Sequence, residues 1–98
     1  MLEATLMEVT ISNYGECKKP QANTIAIKVG AIEYFFSYRT LVAFYAPSTG
    51  LVVRKNVWGP TTGKHLNWID GGAKVDRLDV EAFQEKLEMA VAQERARP

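Results

Sequence analysis

The residues best placed for chemistry in this 98-residue chain lie together in Gly59-Pro60-Thr61-Thr62-Gly63-Lys64-His65. A phosphate-binding loop needs four residues between its first glycine and Gly-Lys, followed by a Ser or Thr hydroxyl to hold magnesium. Here only Pro60, Thr61 and Thr62 intervene, and His65 takes the place of the hydroxyl. The string therefore does not meet that loop's requirements. Two readings remain: an anion held by backbone amides at a helix start, with Thr61, Thr62, Gly63 and Lys64 around it, or an ordinary capped turn. His65 is the sole imidazole. Acid–base work would require a carboxylate to orient it and a nucleophile within reach. Asp70, five residues on, is poorly spaced for one helix face, and a structural or surface histidine is the alternative. Cys17, the sole cysteine, excludes a disulfide framework. It reads either as an inert exposed thiol or as one activated by Lys18 and Lys19. A zinc site would have to draw on carboxylates, and no spaced pair suggests one. No catalytic residue, metal or cofactor is expected.

Charge is segregated along the chain although the net value is only +1. Residues 1–16 hold Glu3, Glu8 and Glu16 and no base. Residues 17–64 hold Lys18, Lys19, Lys28, Arg39, Arg54, Lys55 and Lys64 against Glu33 alone, and residues 65–98 return to a slight acidic excess. A basic section of this kind can attract phosphate or an acidic protein surface. The other reading mixes all these charges on one neutral surface. With 47% hydrophobic, 10% aromatic and 23% charged residues, wholesale disorder, collagen and coiled coil are excluded. No run approaches the roughly 20 apolar residues of a membrane helix. The acidic start differs from a secretory signal, so a reducing cytoplasm is the expected compartment. Without repeats or linkers, residues 1–98 read as a single domain that frays from about residue 94.

The elements that must position these groups follow from periodicity. Met7, Val9 and Ile11 alternate with Leu6, Glu8 and Thr10 as a half-buried strand, and residues 12–23 read as an exposed loop. Around Gly30-Ala31 two β-rich runs form a hairpin whose two-residue loop suits a type II′ turn. Its register pairs Val29 with Ile32, Ile27 with Tyr34, Ile25 with Phe36, Lys28 with Glu33 and Ala26 with Phe35. A second hairpin, "TLVAFYA" and "LVVRKNV", turns through the four residues Pro47-Ser48-Thr49-Gly50. That turn places Val42, Phe44, Leu51 and Val53 on one face and Leu41, Tyr45, Val52 and Arg54 on the other. Thr61 or Thr62 then caps a short helix ended by Asp70-Gly71-Gly72. A short strand is expected at residues 74–78. Asp79 caps a final helix with the stripe Val80, Phe83, Leu87 and Val91, Ala90 beside it and Arg95 near its end. Strands first and helices afterwards predict an α+β fold: an antiparallel four- to five-stranded sheet, then a short helix and a longer C-terminal helix packed on one face.

The stretch from Tyr34 to Gly72 resembles a group of small proteins carried by phages and other mobile elements. The likeness rests on Trp58-Gly59-Pro60-Thr61-Thr62-Gly63-Lys64-His65-Leu66-Asn67, with Ile69-Asp70. It implies a mobile-element origin, and small phage domains without catalytic groups commonly occupy a host protein, as anti-CRISPR and other anti-defence inhibitors do. Three functions follow. The first is a non-enzymatic inhibitor that occludes a host protein or ribonucleoprotein complex, touching it through Arg39, Tyr45, Arg54, Lys55 and Lys64. The second is a nucleic-acid-binding accessory protein using residues 17–64. The third is a small enzyme centred on His65 and Lys64. No membrane is expected as partner. An edge strand without proline leaves room for a homodimer.

Overall fold

The computed structural model describes residues 9–15 and 23–96. Five antiparallel strands form one meander in the order β1-β2-β3-β4-β5: Val9–Asn13, Thr24–Val29, Ile32–Ser37, Thr40–Ala46 and Gly50–Val53. Two helices follow, α1 (Pro60–Asp70) and α2 (Val80–Arg95), with a single 3-10 turn, Lys74–Asp76, between them. The fold is α+β, with the short helix before the long one as expected. The first hairpin keeps the register read from its side chains, from Val29–Ile32 to Ile25–Phe36. Gly30 has φ +61° while Ala31 stays out of the positive region, the pattern of a type II′ turn.

The helices lie on opposite faces of the sheet, which corrects the one-face expectation. Neighbouring residues on a strand point to opposite sides. Ile32, Phe44, Ala46 and Val52 pack with Phe83 and Ala90 of α2. Val42, Ala43 and Val53 pack instead with Leu66 of α1, joined by Phe35 and Ile69. Two local events set this partition. Phe35 pairs with Ala43 but Phe36 pairs with Leu41, so Val42 is an extra residue in β4. This bulge turns Val42 and Ala43 to the α1 side and returns Leu41 to the α2 side. The second event is the loop of the second hairpin, which has three residues rather than four, because Gly50 (φ +74°) already pairs with Ala46. Phe44 therefore faces Val52, and Ala43 faces Val53. The expected grouping of Leu51 and Val53 with Phe44 is inverted, as a one-residue slip requires.

Other boundaries moved for identifiable reasons. Gly59 is the N-cap of α1 and Pro60 its first residue, because proline's fixed φ suits that position; Thr61 and Thr62 lie inside the first turn. Gly71 closes α1 in the left-handed region, as read from Asp70-Gly71-Gly72. Residues 74–78 are no strand. After the 3-10 turn only Leu78 bridges, in parallel, to Arg54. Asp79 caps α2 by accepting the Ala82 N–H at 2.9 Å. Within the expected stripe Phe83 is buried, Leu87 and Val91 are half-buried, and Val80 is exposed. The helix runs to Arg95. Val9 and Ile11, expected to be half-buried, are 57% and 68% exposed. They form the outermost strand, beyond the reach of α2. Residues 5–8 of the strand expected from the sequence, with Cys17, Lys18 and Lys19, lie outside the described residues.

Candidate functional site

α1 crosses one sheet face with Thr62, His65 and Leu66 turned inward. Ser37, the last residue of β3, receives it. Ser37 Oγ lies 2.8 Å from His65 Nδ1 and 3.1 Å from Thr62 Oγ1, and all three residues are buried. The ring of His65 stacks on Trp68 at 5.6 Å and meets Tyr38 at 5.8 Å and the edge of Tyr14 at 6.5 Å. Burial first, and the charge of Lys64 second, lower its pKa. A neutral ring then completes the hydroxyl–hydroxyl–imidazole chain. Hydroxyl and imidazole lie within general-base distance, but the orienting carboxylate is committed elsewhere.

That carboxylate is Asp70. Arg77 Nε donates to its Oδ2 at 2.8 Å, and Arg77 Nη2 donates to its Oδ1 and to Asn67 Oδ1, each at 2.9 Å. The pair is almost wholly buried. The hydrogen bond from Arg77, opposed by burial, holds the Asp70 carboxyl below its usual range. This fork clamps the segment after α1 against the helix, and so places Lys74. Lys55, Lys64 and Lys74 then line one groove of about 580 Å³ with Asn56, Asn67 and Arg77, and no carboxylate lies in its wall. Because Asp70 already matches Arg77, the three lysines supply the groove's net charge.

On the other side of the first turn of α1 a cavity of about 390 Å³ opens between Tyr38 and Trp58, floored by Ser37, Val42 and Thr62. Trp58 is held in two ways. Its backbone N–H donates to Asn56 Oδ1 at 2.9 Å, and the Arg54 guanidinium lies 4.7 Å from its ring centre. Tyr38 is the first residue of the two-residue turn between the paired Ser37 and Thr40. Its φ is +57°, the one non-glycine residue with positive φ among those described. An L residue there costs about 1–2 kcal/mol, at a turn position where glycine is the usual occupant.

The five expected contact residues do not converge. Lys55 and Lys64 share the groove. Arg39 sits at the β3–β4 turn, whereas Tyr45 lies at the far end of β4, opposite Glu33. Arg54 is turned between Trp58 and Phe83, 4.7 and 6.0 Å from their ring centres. Its Nε is buried without a hydrogen-bond partner among the described residues, so ring faces supply its stabilisation. The expected anion quartet is split: Thr61 and Thr62 line the aromatic cavity, Gly63 and Lys64 the lysine groove. Sequence reasoning missed Lys74 and Arg77 because residues 74–78 read as a strand. It missed the role of Tyr38 because "YFFSYRTLVAF" offers no glycine or proline to mark a turn.

Among the described residues no cluster of three or more His, Cys, Asp or Glu side chains could hold a metal, and no helix is long and apolar enough to cross a membrane. Fold and surface thus define a small α+β domain with a basic groove and an aromatic cavity flanking one helix. The chain belongs to DUF8033, a family of unknown function whose pattern matches residues 7–85. No curated protein and no solved structure matches it.

Proposed function

We propose that this chain is a non-enzymatic binding domain that acts by occupying an anionic macromolecular partner through the side of the sheet that carries α1. The groove carries this reading: Lys55, Lys64 and Lys74 come from three separate segments yet line one open surface free of carboxylates. Complementary charge of this kind speeds encounter and fixes orientation. The Ser37–Thr62–His65 chain supports it as well, since Ser37 Oγ is bonded to both Thr62 Oγ1 and His65 Nδ1 and so seats α1. Together with the likeness to mobile-element proteins, the reading extends to occlusion of a host machine, with a nucleic-acid-handling defence complex of the kind anti-CRISPR proteins target as the partner class. The test is affinity capture from host lysate with the wild type and a Lys55→Glu/Lys64→Glu/Lys74→Glu variant. A defined partner recovered by the wild type and lost by the variant supports the proposal. Equal recovery by both, or no partner at low salt, overturns it.

One observation favours direct binding of single-stranded nucleic acid as a second reading: the aromatic cavity adjoins the groove, with Pro60 in both walls. Three neutralised phosphates would give a slope of roughly −2 in log K against log salt. A flat salt response removes this reading.

A further inference from the structure

We propose that the cavity between Tyr38 and Trp58 takes one unstacked nucleobase of a single strand whose phosphates lie along Lys64 and the lysine groove. The inference rests on the single-strand reading above and adds the site that would give such a strand its grip beyond charge. The cavity, about 390 Å³, lies within the range of roughly 300–1,000 Å³ typical of sites that enclose small ligands.

Its construction favours a flat, uncharged ring. Two aromatic side chains form its walls, and both remain open to solvent, Tyr38 47% and Trp58 39% exposed. Neither is therefore held in place by burial alone. Tyr38 occupies a left-handed backbone position that glycine would fill without strain, and strain retained at a cavity wall marks a position kept for what it contacts. Asn56 holds the Trp58 backbone amide, and the Arg54 guanidinium lies over its ring. Between these walls Thr40 and Thr61 line the cavity, and a threonine hydroxyl donates or accepts as the edge of a base requires. No lining residue is charged, whereas the adjoining groove holds three lysines, and Pro60 makes the two walls continuous. A strand can thus place a base on one side of the first turn of α1 and its phosphates on the other. An aromatic side chain of a partner protein would fill the same walls but would leave the adjoining lysines unmatched.

The test is fluorescence anisotropy with dye-labelled oligo-dT and with an abasic oligonucleotide of equal length. The wild type should prefer oligo-dT by about tenfold or more, since stacking one base on an aromatic ring is worth roughly 5- to 150-fold in affinity. Trp58→Ala and Tyr38→Gly should remove that preference while keeping the abasic affinity, and Tyr38→Phe should retain it. Glycine suits the backbone at position 38, and circular dichroism checks that each variant folds. Thr61→Phe, at an exposed position on the cavity wall, should block the site from the outside. Equal wild-type affinity for the two oligonucleotides, or a preference that survives all three disruptive variants, overturns the base site and leaves the polyanion surface standing. If neither oligonucleotide binds, both readings fall.

Discussion

Replacing Asp70 by Asn tests the clamp that shapes the lysine groove. The substitution keeps the size of the side chain and one oxygen, but it removes the countercharge of a guanidinium whose side chain is 4% exposed. Arg77 then retains Asn67 Oδ1 as a neutral acceptor, with Lys64 and Lys74 in the same wall. Breaking a buried pair by removing one partner costs about 3–5 kcal/mol. A domain of this size loses about 4–8 °C of melting temperature per kcal/mol, so Asp70→Asn should melt about 12–40 °C below the wild type. The double variant Asp70→Asn/Arg77→Met removes the stranded charge and should recover most of that loss. Acid should act through the same group. Its folded pKa lies below the unfolded value, so the pair's contribution is complete above the usual carboxylate range and is lost as pH falls through the lowered value. Differential scanning calorimetry at neutral and acidic pH reads all of this. A single variant within about 3 °C of the wild type, or a double variant no better than the single, would refute the reasoning.

Four other outcomes follow from the same geometry. Because burial and Lys64 lower the His65 pKa, stability should be full above about pH 6.5 and decline below it as the unfolded chain takes up the proton first; His65→Gln should flatten that decline in pH-dependent melts. Gly15 has φ +77°, and a β-carbon there would run into the indole of Trp68; Gly15→Ala should cost about 2–4 kcal/mol and alter tryptophan emission. Phe44, fully buried against Phe83, should cost about 3–5 kcal/mol as Phe44→Ala in urea unfolding. Ile11→Ser, at a position 68% exposed, should stay within about 0.5 kcal/mol, and a loss like that of Phe44→Ala would show that something covers β1.

The first hairpin was legible because three independent signals coincided: a glycine turn, apolar cross-strand pairs and the Lys28–Glu33 pair. The Asp79 cap and the Phe83–Leu87–Ala90–Val91 stripe were legible for similar reasons. The opposite-face arrangement was not, since it turns on one extra residue at Val42 and one fewer in the loop before Gly50. Neither leaves a compositional trace in a strand that is apolar on both sides. In the site, Lys55 and Lys64 were visible as charge, but their meeting with Lys74 depends on a buried Asp70–Arg77 fork seven residues apart in sequence. Tyr38 was invisible as a turn residue because it stands where glycine would have announced the turn.

The two helices share one part of the sheet, since β4 and β5 supply residues to both cores, while every residue of β1 is exposed. The sheet therefore resembles a plank clamped at one end. Its backbone amides should exchange with solvent in a gradient, slowest in β4 and fastest in β1, where opening disturbs no side-chain interior among the described residues. Freedom to vary the outermost strand, joined to rigidity under α1, leaves the domain able to change one border without disturbing the lysine groove and the aromatic cavity beside that helix.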